Sequence, residues 1–132
     1  MIALHRDQAV IDACALVIAE LQELTPSLVF ASVITSDGFE ITHAPANSFN
    51  SERLASMTSS VQALGDAVAR ELAMGSNGYV VMALDGGNLL QIRVPGQRVI
   101  LAALFNNQEL LGKGLAVSRR AVDRLGALLA AL

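Results

Sequence analysis

The sequence predicts an α+β domain in which helices flank a five-stranded antiparallel sheet. Three segments show the apolar spacing of a helix, and five short segments are rich in β-branched and apolar residues. Their order, α, β, β, α, β, β, β, α, places two hairpin systems on either side of a helix, whereas a doubly wound fold alternates strand and helix strictly. A length of 132 residues suits one domain, so residues 1–132 are predicted to form a single unit.

The first helix and the first two strands follow from periodicity and turn residues. Apolar residues spaced three and four apart predict an amphipathic helix over 7–24, which ends before Pro26 because the residue preceding a proline avoids helical angles. Residues 28–36 are mostly apolar at both odd and even positions, which is typical of a central strand covered on both faces. The turn at 37–38 (Asp-Gly) predicts a hairpin, and the alternation over 39–44 predicts a second strand with one covered face.

The second helix is predicted over 52–74, with Asn50 or Ser51 as its N-cap. Its apolar residues form one seam that we expect to be buried: Leu54, Met57, Val61, Leu64, Val68 and Leu72. The opposite side has small neutral residues, and no charge occurs between Arg53 and Asp66. A helix that faces bulk water normally carries charged side chains, so this side indicates close approach of another backbone. Chance in a sequence rich in Ala and Ser is the alternative.

Three further strands are predicted over 79–84, 90–94 and 99–105, with tight turns between them at 85–88 and 95–96. The middle strand of these three alternates apolar and polar residues, whereas its two neighbours are apolar at both odd and even positions. The fifth strand can satisfy this pattern by pairing with the first at the centre of the sheet. The third strand then has no partner left in the chain and forms a long apolar edge, which natural proteins avoid.

The last helix is predicted from about Glu109 to the C-terminus, with Asn106 or Asn107 as its cap. We expect it to bury Leu111, Leu115, Ser118, Val122, Leu125, Leu129 and Leu132. Gly112 and Gly114 near its start follow no nucleotide-binding pattern, so they indicate close packing of the helix on the sheet.

The unpaired third strand predicts association with a second copy of the chain. Pairing with the same strand of that copy removes the exposed edge. It also brings the neutral side of the second helix against its symmetry mate, which is the isologous arrangement of a homodimer. The predicted dimer interface comprises Ala55, Thr58, Ser59, Gln62, Gly65, Tyr79, Val80, Val81, Met82 and Ala83.

Composition and charge exclude several classes of function. A net charge of -3 and an aromatic content of 4% argue against nucleic-acid binding. No uninterrupted apolar run approaches the roughly 18 residues needed to cross a bilayer, and the N-terminus is unlike a secretory signal, so we expect a cytoplasmic protein. Cys14 is the only cysteine, which excludes an internal disulfide and predicts a buried apolar residue. His5 lies at a terminus that we expect to fray, His43 has no partner in the sequence to orient it, and no catalytic, cofactor-binding or metal-binding residue is predicted.

The last helix contains a short strip of basic residues, although the net charge of the chain is negative. Lys113, Arg120 and Arg124 fall on one side of the last helix, with Arg119 beside them. Most such strips are solvated surface, and binding of an acidic partner surface is the functional alternative. Attachment to a membrane is disfavoured because neither a lipidation motif nor a bulky aromatic face accompanies the strip.

Several segments resemble the roadblock family, which is named for dynein light chains of the roadblock type and includes MglB-like bacterial regulators of small GTPases. These segments are 36–41, 52–57, 63–65 with 70–72, and 110–112, and the match extends over nearly the whole chain. They consist of packing and turn residues and contain no catalytic signature. The resemblance implies an αββαβββα sandwich that dimerises through the third strand and the second helix into one continuous sheet.

For function, the resemblance implies a non-enzymatic platform that binds a Ras-like GTPase and modulates its nucleotide cycle. Such a regulator can accelerate hydrolysis by repositioning groups that the GTPase already owns, so it needs no catalytic residue. We expect the GTPase to contact the solvent side of the second helix at Glu52, Arg53, Ser56 and Arg70. The alternative is a small-ligand sensor domain with a pocket between sheet and helix.

Overall fold

The computed structural model describes residues 2–132 and confirms the predicted order of elements. All five strands lie antiparallel in one sheet with the order β2-β1-β5-β4-β3. The fifth strand therefore pairs with the first at the centre, and the third lies at an edge, both as predicted. After a short 3-10 helix at Leu4–Arg6, the elements are α1 (Gln8–Leu24), β1 (Leu28–Thr35), β2 (Glu40–Ala44), α2 (Ser51–Glu71), β3 (Tyr79–Leu84), β4 (Gly87–Arg93), β5 (Val99–Asn106) and α3 (Leu111–Ala130).

One face of the sheet is covered by α1 and α3, which pack on each other and enclose the main core. Asp7 caps α1, because its carboxylate accepts a hydrogen bond from the amide of Ala9 (3.0 Å). The largest fully buried side chains of this layer include Leu21 on α1, Leu125 on α3 and Leu101 on β5. This layer therefore supplies most of the apolar burial that stabilises the fold.

The single cysteine lies in this core. Cys14 is fully buried, and burial raises the pKa of its thiol to about 12. The thiol is therefore protonated and chemically inert at neutral pH.

The opposite face of the sheet is covered by α2 alone. Asn50 caps this helix by accepting a hydrogen bond from the amide of Arg53 (3.1 Å), and it is one of the two caps predicted. Only three of the 21 residues of α2 are buried: Ala55, Thr58 and Gln62. The apolar cluster between the helix and the sheet is correspondingly small and comprises Ala55 of α2 with Ile34 and Ile100 of the strands. α2 thus makes much less apolar contact with the sheet than α1 and α3 do.

The prediction of which side of α2 is buried is wrong. Four of the six seam residues, Met57, Leu64, Val68 and Leu72, face outwards, and Leu64 is 65% exposed, whereas Leu54 and Val61 are only partly buried. The small neutral side, which was assigned to a contact with a second copy, packs on the chain's own sheet through Ala55, Thr58 and Gln62. Small side chains do permit close approach of another backbone, but that backbone belongs to the strands of the same chain.

Ser59 and Gly65, which were assigned to the same contact, also have neighbours within the chain. Ser59 donates a hydrogen bond to the carbonyl of Ser36 (2.8 Å). A Cβ atom on Gly65 would lie 2.6 Å from the side-chain nitrogen of Asn77. Both residues stay partly exposed, so they border the packed side of α2 instead of lying at the centre of an outer face.

The start of α3 requires a further correction. Leu110 occupies the N-cap position and makes no capping hydrogen bond through its side chain. Asn106 accepts a hydrogen bond from the amide of Gln108 (2.9 Å), and Asn107 donates one to the carbonyl of Asp85 (2.7 Å). Both asparagines therefore order the loop before the helix and do not cap it.

The two ends of α3 are more exposed than the periodicity predicts. Leu111 in the first turn and Leu132 beyond the last turn are exposed. Between them, four of the residues predicted to be buried are buried: Ser118, Val122, Leu125 and Leu129. Leu115 is only partly buried but packs against the core.

Candidate interaction surface

The strand β3 forms one edge of the sheet. Its inner side pairs with β4, from Tyr79 opposite Ile92 to Leu84 opposite Gly87, and no strand within residues 2–132 pairs with its outer side. None of its six residues is fully buried, and Met82 is 37% exposed. An apolar strand with free backbone N–H and C=O groups is a template for pairing with another chain.

The helix α2 follows a single row of cross-strand neighbours over the sheet. The row comprises Glu40, Ile34, Ile100 and Arg93, which lie opposite one another in β2, β1, β5 and β4. Ser51 donates a hydrogen bond to Glu40 (2.5 Å) at the start of the helix, and Asp66 pairs with Arg93 about four turns later. The helix therefore covers one end of the strands and leaves the other end of this face uncovered.

The uncovered end of the face is an apolar groove. A cavity of about 140 Å³ lies here between the sheet and α2, and the hydroxyl-bearing residues Ser32 and Thr58 are the only polar residues in its lining. The floor is a second row of cross-strand neighbours, and residues from the β2–α2 loop, from α2 and from the end of β3 complete the walls. We term the following residues the open groove: Phe30, Leu104 and Leu89 in the floor, with Phe49, Leu54 and Leu84 in the walls. Met82 on β3 is the cross-strand neighbour of Leu89 and lies at the margin of the groove.

The outward side of α2 forms an apolar stripe that adjoins the open groove. We term Met57, Leu64, Val68 and Leu72 the α2 stripe; each is about half exposed or more. α2 contributes Leu54 to the groove, and the α2 stripe begins at Met57, one turn further along the helix. β3 contributes Leu84 to the groove and Met82 beside it, so the β3 edge and the α2 stripe adjoin the groove from two sides. Large contiguous apolar patches are uncommon on monomeric proteins and mark interaction sites.

The four residues predicted to contact a GTPase are all exposed, but they form two groups. Glu52, Arg53 and Ser56 lie together in the first turns of α2. Arg70 lies in the last turn of the helix, about 20 Å further along its axis. The structure therefore brings three of the four residues into one patch.

An exposed aromatic pair beside this patch is missed by the sequence-based prediction. Phe39 is 51% exposed at the β1–β2 turn, and the ring of His5 stacks on it with centroids 4.6 Å apart. The preceding Gly38 lies against Ser56 and Ser59 of α2, so the aromatic pair adjoins the first turns of the helix. A phenylalanine directly after an Asp-Gly turn was the available signal, because such a residue begins its strand at the rim of the sheet.

The basic strip on α3 is largely engaged within the chain. Arg124 makes two short hydrogen bonds to Glu20 on α1 (2.6 and 2.7 Å), and this contact lowers the pKa of the Glu20 carboxyl. The guanidinium of Arg119 lies 5.0 Å from the ring centroid of Tyr79 on β3. Lys113 lies near Glu109 (3.9 Å). The strip is therefore mainly a structural feature of the α1 and α3 face.

The titratable side chains of the described residues serve mainly as structural contacts. Within residues 2–132 no group of three or more His, Cys, Asp or Glu side chains is placed to hold a metal ion. His43, which has no partner in the sequence pattern, contacts Glu40, and the same carboxylate accepts the hydroxyl of Ser51. This contact joins β2 to the start of α2. In the same part of the chain, no helix is both long and apolar enough to cross a membrane.

Three helices and five antiparallel strands in this order form the roadblock fold. Similar solved structures include Myxococcus xanthus MglB, with a TM-score of 0.83 and 20% identity over 92% of this chain and 90% of that chain. The gliding protein MglB from Thermus thermophilus gives 0.80 and 21% over 92% of each chain. A roadblock/LC7 domain from Streptomyces avermitilis gives 0.79 and 18%, covering 87% and 96%. No family model and no curated protein sequence matches the chain.

Proposed function

We propose that the chain is a non-enzymatic regulator or scaffold of a small Ras-like GTPase and that it acts as a homodimer in the cytoplasm. The observation that carries this proposal is the exposed apolar surface formed by the β3 edge, the open groove and the α2 stripe. The likeness of the fold to MglB and the family resemblance of the sequence support the GTPase as partner. The proposal assigns no catalytic residue, cofactor or metal ion to the chain.

A second copy is the occupant that fits all parts of this surface at once. It supplies an apolar edge strand for β3 and an apolar helix stripe for the open groove. Two copies related by a two-fold axis present the same parts to each other, so one contact removes both edges and both stripes from water. Burial of a side chain such as Leu64 contributes about 1.5 to 3 kcal/mol, and several such side chains from each copy can offset the entropy lost on association.

The proposed dimer interface keeps the predicted strand and changes the predicted helix residues. The buried residues Ala55, Thr58 and Gln62 leave the interface because they already pack within the chain. Ser59 and Gly65 lie at its margin. Its remaining residues are Tyr79, Val80, Val81, Met82 and Ala83 on β3, and Met57, Leu64, Val68 and Leu72 of the α2 stripe.

The GTPase would bind where α2 stays exposed in the dimer. Glu52, Arg53 and Ser56 offer charge and hydrogen bonds there, and the exposed Phe39 beside them offers an aromatic anchor. Arg70 extends the same helix towards its C-terminal end. Because the catalytic groups belong to the GTPase, the platform acts by favouring one of its conformations.

Co-elution with purified GTPases tests this function. Each Ras-like GTPase of the source organism is loaded with GDP or with a non-hydrolysable GTP analogue and mixed with the protein before gel filtration. We expect one GTPase to co-elute in one nucleotide state, and Arg53→Glu to weaken the complex by about tenfold without dissociating the dimer. Lys113→Glu, on the opposite face of the subunit, is the matched control and should have no effect. Absence of co-elution in both nucleotide states would contradict the proposal.

A small-ligand sensor is the second candidate, and the cavity in the open groove favours it. A volume of about 140 Å³ with apolar walls suits a short alkyl or aromatic group. A sensor would gain thermal stability with a metabolite and without a protein partner. Filling the cavity from within, with Thr58→Leu, should abolish that gain for a sensor. The same substitution should leave co-elution with a GTPase unchanged.

A further inference from the structure

A cluster of hydrogen-bonded side chains fastens α2 to the sheet. Gln62 lies at its centre and is 2% exposed. Its amide nitrogen donates to Gln91 on β4 (3.2 Å), and its amide oxygen accepts hydrogen bonds from Asn77 (3.1 Å) and from Nε of Arg93 on β4 (3.3 Å). Arg93 also pairs with Asp66, one turn further along α2. We term these five residues the Gln62 hub.

The hub is an unusual way to attach a helix in a chain this apolar. A buried amide weakens the fold unless its hydrogen bonds are made, whereas a leucine at the same place would add apolar burial without that cost. Both polar atoms of the Gln62 side chain do have partners. Directional bonds of this kind fix one geometry, while apolar contact tolerates several. The hub therefore fixes the second half of α2, whereas the first half is held by the small apolar cluster and by the hydrogen bonds to Glu40 and Ser36.

The hub also connects the two elements that carry the proposed dimer surface. Asn77 lies two residues before β3 begins, and it donates a hydrogen bond to Gln62 on the side of α2 that faces the sheet. Gly65 leaves room for this connection, because a Cβ atom there would lie 2.6 Å from the side-chain nitrogen of Asn77. One buried amide thus holds the helix that bears the α2 stripe and the segment that leads into the edge strand.

We propose that Gln62 is a positioning residue that sets α2 relative to β3 and thereby determines how tightly two copies associate. This inference rests on the homodimer proposed above. A second copy must meet the β3 edge and the α2 stripe at the same time, so their relative placement is part of the interface. Without the hub, the first half of α2 is still held on β1 and β2, but its second half, which bears Leu64, Val68 and Leu72, loses its hydrogen bonds to β4. Part of the association energy is then lost in restoring the position of this second half.

Two substitutions of Gln62 and one matched control test the proposal. Gln62→Leu removes every hydrogen bond of the residue. Gln62→Glu keeps an acceptor for Asn77 and Arg93, and the amide of Gln91 can rotate to donate to it. Leu125→Ala destabilises the α1 and α3 core without touching α2. Hydrogen exchange of residues 51–78 reports the attachment of α2, and sedimentation velocity gives the dimer Kd.

We expect Gln62→Leu to accelerate exchange over 51–78 and to raise the dimer Kd, each by about tenfold. Gln62→Glu should keep the exchange rate over 51–78 and the dimer Kd much closer to their wild-type values. Leu125→Ala should lower the melting temperature and leave the exchange rate and the Kd near their wild-type values. If Gln62→Leu does not fold, Asn77→Ala removes one bond at the margin of the hub and should raise the Kd by about threefold.

Two results would overturn the inference in distinguishable ways. Faster exchange over 51–78 with an unchanged dimer Kd would show that the hub holds the helix but does not govern association. A wild-type protein that is monomeric at all accessible concentrations would overturn the proposed dimer and the role of Gln62 in it together. In that case the exchange data would still report whether the hub attaches α2.

Discussion

The two faces of the sheet are covered in different ways. On one face, α1 and α3 enclose a continuous apolar core, and the Glu20–Arg124 contact closes its rim. On the other face, α2 lies alone over one end of the strands, buries three residues and leaves an apolar groove and stripe exposed. The first face is completed within one chain. The second has apolar residues typical of a core but leaves them exposed, and this is the basis of the proposed completion by another chain.

The largest difference between the two faces is expected for Leu125→Ala. Leu125 on α3 is fully buried in the main core, so truncation of its side chain leaves a cavity there. We expect the free energy of unfolding, measured with urea, to fall by about 2 to 5 kcal/mol. A loss below about 1 kcal/mol would show that this core is not the main source of stability.

The same truncation on the other face, Leu64→Ala, should affect association and not folding. Leu64 is 65% exposed in the single subunit, so its removal should change the unfolding free energy of dilute protein by less than about 0.5 kcal/mol. In the proposed dimer each copy loses the same buried side chain, and the Kd should rise by about tenfold. Sedimentation velocity provides the Kd. A dimer as tight as the wild type would place the interface elsewhere.

The contrast between these two leucines also shows what the sequence could and could not predict. Both belong to apolar stripes with helical spacing, and periodicity predicts burial for both. It cannot tell whether a stripe is covered by its own sheet or by a second chain. On α2 the answer depends on the small residues of the other side, Ala55 and Thr58, which fit closely against the strands.

Strand positions were more predictable than helix faces. The polarity of each strand records how many of its faces are covered, and this alone placed β5 beside β1 and β3 at the edge. The caps of α3 failed for a local reason, because Asn106 and Asn107 use their side chains in the loop before the helix. The Gln62 hub joins residues from α2, β4 and the loop before β3, and no spacing rule connects such positions.

Within residues 2–132, the face covered by α1 and α3 contains a buried hydroxyl group without a hydrogen-bond partner, which predicts a stabilising substitution. The hydroxyl of Ser118 is buried in the α3 layer and, among the described residues, has no hydrogen-bond partner. Ser118→Ala should raise the free energy of unfolding by about 1 kcal/mol, because it removes an unsatisfied polar group. Thr25→Ala is the contrasting variant, since the Thr25 hydroxyl donates to the carbonyl of Leu21 (2.5 Å) and its loss should be destabilising. A destabilised Ser118→Ala would mean that water or another group satisfies the serine.

The smallest expected effect concerns the rim of the same face. The hydrogen bonds from Arg124, and its charge, lower the pKa of the Glu20 carboxyl, so the folded state favours the ionised form. The resulting stability is present above the ordinary value of 4.5 and is lost as the pH falls through the lowered value in the folded protein. The thermal midpoints of the wild type and Glu20→Gln should therefore differ slightly at neutral pH and converge in acid. The difference should also shrink at high salt, because the pair is exposed; a gap that persists in acid would contradict this origin.

The mass of the protein in solution, measured by sedimentation equilibrium for the wild type and for Met82→Lys, tests most directly whether a second copy completes the α2 face. Met82 lies on the edge strand opposite Leu89 of the open groove, where a lysine can stay solvated in a single subunit but not between two. We predict twice 13.8 kDa for the wild type and 13.8 kDa for a folded Met82→Lys variant. A wild type of 13.8 kDa at every concentration, or a variant that still has the doubled mass, would contradict the account.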